Sequence, residues 1–156
     1  MKITEARRRL KGFCEASGKP TRLGYILNRV FCQGGWLCAT DGKIAVRVPA
    51  PTGMSDTLIS DPKGLGLRFP NVVGLGGWSG KAGSPWPRKK IVSKRSDPLT
   101  LTRVAGQNLD FYYWGKIADL PGARLAETSV EPQWLAKPIA FVFDGGGQGL
   151  VMPVTA

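Results

Sequence analysis

The sequence predicts an α+β domain, and three observations carry that expectation. Residues 25–46 break into short β-branched and aromatic runs separated by Gly34-Gly35 and Asp41-Gly42, pairs that accept the positive φ of hairpin turns. A second pair of strand-like runs, Ile139 to Phe143 and Leu150 to Val154, flanks the turn-forming stretch Asp144 to Gly149. At the N-terminus, Ile3, Ala6, Leu10, Phe13 and Cys14 recur at helical spacing, with Arg8, Lys11 and Glu15 on the opposite side and Thr4 placed as the N-cap.

Taken in order, the chain reads as a basic amphipathic helix, three antiparallel strands over 25–46, and an irregular stretch over 51–88. Pro49, Pro51, Pro62, Pro70, Pro85 and Pro87, with glycines from Gly64 to Gly83, exclude long helices and central strands there. Within it the expectation is a short strand near Leu58 to Ser60, a turn at Phe69 to Leu75 and a mobile segment from Gly76 to Pro87. A short helix is expected within Tyr113 to Leu120, before the C-terminal strand pair.

Length and composition limit the classes. At 156 residues and 42% hydrophobic, the chain fits one ordinary domain able to bury a sizeable core. It holds no apolar run of about 18 residues, so neither a membrane span nor a membrane partner is expected. The opening Met1-Lys2-Ile3-Thr4 leads into a charged helix rather than an apolar signal segment, which predicts a cytoplasmic protein. Cys14, Cys32 and Cys38 have no paired C-x-x-C spacing and no histidine to complete a zinc site, so free thiols are expected; a Cys32–Cys38 disulfide across the hairpin is the alternative.

Charge speaks about partners. The formal net charge is +11, and the excess of Lys and Arg lies in the first two thirds of the chain. Such a surplus fits a polyanionic partner, above all nucleic acid, or else simply a soluble basic protein. Arg7, Arg8, Arg9 and Lys11 concentrate charge on the first helix. Arg88, Lys89, Lys90, Lys94 and Arg95 make a second cluster near Trp78 and Trp86, tryptophans that serve either as core and loop anchors or as stacking platforms for unpaired bases.

Other chemistry has little to stand on. Gly77 to Ala82 ends like a phosphate loop, but Leu75 fills the first glycine position and Ala82 replaces the magnesium-binding hydroxyl. Without histidine there is no Ser-His or Cys-His pair, and the acids show no helix-spaced pair for a metal or a shared proton. No enzymatic activity, cofactor or metal is expected.

Three segments resemble the bacterial DNA polymerase sliding clamp (the β clamp). Tyr25-Ile26-Leu27-Asn28-Arg29-Val30, the hairpin and Ala39-Thr40-Asp41-Gly42 match the wording of its middle domain. Leu67-Arg68-Phe69-Pro70-Asn71-Val72 looks like its Phe-Pro-Asp-Tyr segment, and Val151-Met152-Pro153-Val154 looks like its Val-Met-Pro-Met ending. Together they cover about a third of the chain, and Lys43-Ile44 is shorter than the clamp's spacing after Asp-Gly.

The resemblance implies a single clamp-like domain over 1–156, built of two β-α-β-β-β halves with curved antiparallel sheets: a first half over 1–48, the loop region 51–88, and a second half over 89–156. It implies a non-enzymatic replication or processivity factor that meets DNA electrostatically and without base preference, through Arg7, Arg8, Arg9, Lys11 and the 88–95 cluster. It also implies an apolar cleft for linear motifs of a polymerase or clamp loader, with Thr40, Gly42, Ile44, Val151, Met152 and Pro153 at the matching positions. Clamps work as rings of several domains, so open sheet edges predict a homo-oligomer. One-domain relatives of this kind look like phage or mobile-element products acting in a host cytoplasm. The alternative is a clamp mimic that binds and modulates a host replication or defence protein.

Overall fold

The computed structural model describes residues 2–94, 100–127 and 137–154. The chain is mixed helix and mostly antiparallel sheet, in two compact units, Met1–Gly76 and Gly77–Ala156.

The first unit begins with helix α1, Ile3–Lys11. Its cap is Lys2, with no side-chain bond, and Thr4 lies inside the first turn, so the cap falls two residues before the expected Thr4. Arg8, Arg9 and Lys11 occupy the last turn, where cations suit the helix dipole. Ala6 and Leu10, followed by Phe13, are buried, and the helix packs on the central strands of a three-stranded antiparallel meander. Those strands are β1 (Phe31–Gln33), β2 (Trp36–Thr40) and β3 (Ile44–Pro49). Gln33 pairs with Trp36 across Gly34 and Gly35, whose φ values of 56° and 84° are those of the twist-compatible two-residue hairpin.

Tyr25 to Val30 is not a strand of this sheet. Its start forms one parallel bridge, with the Ile26 amide donating to Arg68 O (2.8 Å) and the Arg68 amide to Gly24 O (3.0 Å). Gly24, at φ 82°, is required there, since a Cβ would lie 2.7 Å from Gly66 O. No strand forms at Leu58 to Ser60, and Leu58 is 88% exposed. The preceding residues instead cover the outer edge of β1: the Cys32 amide donates to Thr57 Oγ1 (2.8 Å), the Thr57 amide to Cys32 O (3.0 Å), and the Gly34 amide to Asp56 Oδ1 (2.9 Å). This edge is therefore not an open template for pairing.

Cys38 stands opposite Phe31 and Cys32 opposite Leu37. Side chains alternate across a strand, so the two thiols point to opposite faces and the cross-hairpin disulfide is excluded; none of the three cysteines is in a disulfide. Burial pushes the Cys38 thiol up to about 12 and raises that of Cys32 as well. At pH 8 a disulfide reagent will therefore titrate the half-buried Cys14 first, while Cys32 and Cys38 react only on unfolding; rapid modification of all three in the folded protein is the contrary result. The sign for stability follows. An unfolded thiol ionises near its ordinary value while buried Cys38 stays neutral until about 12, so this residue's contribution is complete below pH 9 and lost as pH rises through that window.

The second unit has β4 (Ala82–Pro85), β5 (Ile91–Lys94), β6 (Thr100–Val104), β7 (Gln107–Asp110), α2 (Phe111–Ala118), β8 (Arg124–Ala126), β9 (Ile139–Phe143) and β10 (Gly147–Val151). Strands run β10-β9-β8-β4 in one sheet and β5-β6-β7 in the other. The Gly76 to Pro87 stretch, expected to lack structure, holds β4, which pairs with β8 despite its Ala-Gly-Ser-Pro sequence. The last strand ends at Val151 rather than Val154, and starts earlier, at Gly147. Helix α2 overlaps the expected span but starts two residues before Tyr113, and it is capped by Asp110, whose Oδ1 accepts from the Tyr112 amide (3.0 Å).

The order β7-α2-β8-β9-β10 contains the β-α-β-β-β succession, but β7 and β8 belong to different sheets and α2 packs on β6 and β7. In the first unit no strand precedes α1 among the described residues, so that half reads α-β-β-β.

Candidate functional site

Within the first unit three chain segments enclose a cavity of about 620 Å³. Tyr25 and Leu27 form one wall, Thr40 and Gly42 another, and Pro70, Val72 and Leu75 the third. Thr40 is held by two bonds, donating to Ile44 O (2.7 Å) and accepting from the Gly42 amide (3.0 Å). Asp41 closes the same turn by accepting from the Lys43 and Ile44 amides at 2.8 and 3.1 Å. Gly42, at φ 95°, presents bare backbone to the cavity.

The third wall is docked from a distance. Phe69 stacks on Phe31 with centroids 4.3 Å apart, and the Gln33 side chain donates to Pro70 O (3.1 Å) and accepts from the Val73 amide (3.0 Å). Gln33 is thus a positioning residue that sequence reasoning missed; its place as the last strand residue before Gly-Gly carries no signal for a contact about forty positions away. Val72 is buried, whereas Leu23 and Leu75 remain 65% and 48% exposed around the cavity. Arg22 is exposed beside it, and the Arg68 guanidinium lies 4.8 Å over the Tyr25 ring. Among the described residues no carboxylate lines the cavity.

Thr40 and Gly42 line the cavity, while Ile44 is 2% exposed and belongs to the core of the sheet. Val151, fully buried, lies in the second unit at the end of β10; Met152 is half exposed and Pro153 half-buried, in the extended chain beyond it.

On α1, Arg7, Arg8 and Lys11 are exposed, and their spacing of three and four residues gives them one outward face. Arg9 is half-buried and pairs with Glu5 at 2.6 Å, so its charge is partly spent within the helix. The Lys11 ammonium donates to the Asn28 carbonyl, leaving its charge at the surface. Arg88, Lys89 and Lys90 are exposed ahead of β5; Lys94 ends that strand, and Arg95 lies outside the described residues. Elsewhere, Arg47 lies 4.0 Å over the Trp36 ring, and burial lowers its pKa.

Among the described residues no cluster of His, Cys, Asp and Glu could hold a metal ion, and no helix is long and apolar enough to cross a membrane. Comparison with protein-family models, curated proteins and solved structures found no match.

Proposed function

We propose that this protein is a non-enzymatic, clamp-like factor that works beside DNA and captures a short linear motif of a partner in the first-unit cavity. The observation that carries this reading is the convergence of two separate segments: the Thr40–Gly42 hairpin and the Pro70–Val72 stretch, which resemble the same family independently, wall one apolar pocket. Its chemistry suits two apolar anchors of a peptide, because aliphatic walls and an unoccupied glycine surface bury side chains without leaving polar groups unpaired. The exposed leucines beside it extend the apolar surface a peptide would cover.

Titration of a labelled peptide carrying adjacent Leu and Phe anchors tests the cavity. Saturable binding, competed by unlabelled peptide, is the expected result, and no binding at high micromolar peptide rejects the motif-capture role.

The DNA component rests on the outward cations of α1. Binding should be weak, indifferent to sequence, and lose roughly two to three decades of affinity between about 50 and 200 mM salt, for about five phosphates neutralised. The Arg8→Glu, Lys11→Glu double variant should weaken duplex binding about tenfold in an electrophoretic mobility shift; unchanged affinity would place the duplex contact elsewhere.

A further inference from the structure

We infer that a second groove, in the Gly77–Ala156 unit, is a binding site for single-stranded nucleic acid. The groove encloses about 680 Å³ between the Pro85-Trp86-Pro87 stretch and α2. Helical spacing puts Phe111, Trp114 and Ala118 on its wall, while Tyr113 and Ile117 turn into the core. The ring of Phe111 lies parallel to that of Trp114, with centroids 5.3 Å apart and planes within 11°.

The indoles are fixed in place by bonds that consume their only polar groups. Trp86 Nε1 donates to Trp114 O (3.3 Å) and Trp114 Nε1 donates to Pro87 O (3.0 Å). Trp86 also meets buried Phe141 edge-on, centroids 6.0 Å apart. With both N–H groups spent, the groove offers aromatic faces and edges but no indole donor. That disfavours a proline-rich peptide, whose recognition in aromatic grooves adds hydrogen bonds to its carbonyls, and favours a flat ligand held by stacking.

Charge selects among flat ligands. Arg88 and Lys89 line the groove and are exposed, and among the described residues no carboxylate lines it. Asp110 accepts from the Tyr112 amide as the helix cap, and the Asp144 carboxylate packs against Gly122. A nucleotide within a strand satisfies this arrangement: its base stacks on the aromatic wall and the adjoining phosphates meet Arg88 and Lys89. Duplex DNA does not, because its bases are already stacked and paired. This site goes beyond the duplex-backbone role of α1 and does not depend on it.

The test is fluorescence anisotropy with a labelled oligodeoxycytidine of about 12 nucleotides, at fixed low salt, on the full chain. An abasic strand of equal length should bind at least about tenfold more weakly, since stacking is the sequence-tolerant part of such affinity. The Arg88→Glu, Lys89→Glu pair, at exposed positions, should lose at least tenfold, and Phe111→Ala about fivefold with an unchanged circular dichroism spectrum. Equal affinity for the abasic strand, or no loss in the charge-reversed pair, would each overturn the assignment. Competition by a mononucleotide at the same nucleotide concentration would reassign the groove to free nucleotides and overturn it likewise. Failure here leaves peptide capture in the other unit untouched, and that is measured separately.

Discussion

The Leu23→Asp, Leu75→Asp double variant will lose peptide affinity by about two decades while unfolding within a degree or two of the parent protein. Both leucines are already largely exposed, at 65% and 48%, so replacing them removes little that folding buries. Surface changes of this kind usually stay within about 0.5 kcal/mol of stability. A bound peptide would cover them, and burial of two leucine side chains is worth about 3 kcal/mol at the usual area coefficient. Two carboxylates facing apolar anchors add a desolvation penalty of the same sign. Isothermal titration beside a thermal melt separates the two quantities. Retained affinity in the variant would remove this cavity from the binding surface; a large fall in melting temperature would mean that the leucines support the fold instead.

Gly149→Val will be the most destabilising single change at a glycine of the second unit's sheet. In the β9–β10 pair, Gly149 stands opposite Phe141 and Gly147 opposite Phe143. The aromatic rings fold over the glycines, so that a Cβ on Gly149 would lie 2.0 Å from Phe141 Cζ and one on Gly147 2.2 Å from Phe143 Cε2. Neither glycine has a positive φ, so the backbone would accept any residue; only the neighbouring ring forbids it. Phe141 is fully buried and cannot rotate into solvent. Overpacking of this severity costs about 3 kcal/mol, which at this chain length lowers the melting temperature by roughly 10 °C. The check is a thermal melt of Gly149→Val beside Gly149→Ala, followed by Phe141→Leu combined with Gly149→Ala. Shrinking the ring should recover part of the loss, a coupling between facing residues. A melting temperature within 2 °C of the parent in Gly149→Val would contradict the packing described.

The elements the sequence made legible are those with local causes. Gly34-Gly35 and Asp41-Gly42 mark the turns between β1, β2 and β3, because positive φ is a property of the residues themselves. The helical stripe of Ala6 and Leu10 and the run Ile139 to Phe143 are likewise periodicities readable over a few residues. The β6–β7 hairpin had the same kind of signal, Ala105-Gly106 at φ 49° and 76° between alternating runs, and was missed because Ala-Gly is a weaker turn word than Asn-Gly or Asp-Gly. Strand β4 carried almost none: Ala-Gly-Ser-Pro has little strand propensity, and its pairing is supplied by β8 about forty residues later.

Both candidate sites divide along the same line. Sequence by itself determined that the chain is a basic α+β protein with cationic residues on its first helix and a Thr40–Gly42 turn, since charge and turn geometry belong to residues one at a time. Only the tertiary structure decided that Thr40 and Gly42 face Pro70 and Val72, that Ile44 turns inward, and that Trp86 and Trp114 lock each other into a wall. Those arrangements depend on Gln33 holding the 70–73 backbone, on Phe69 stacking against Phe31, and on indole N–H groups finding carbonyls about thirty residues away. Such contacts are selected by packing and by hydrogen-bond satisfaction in the closed fold, and no local periodicity encodes them.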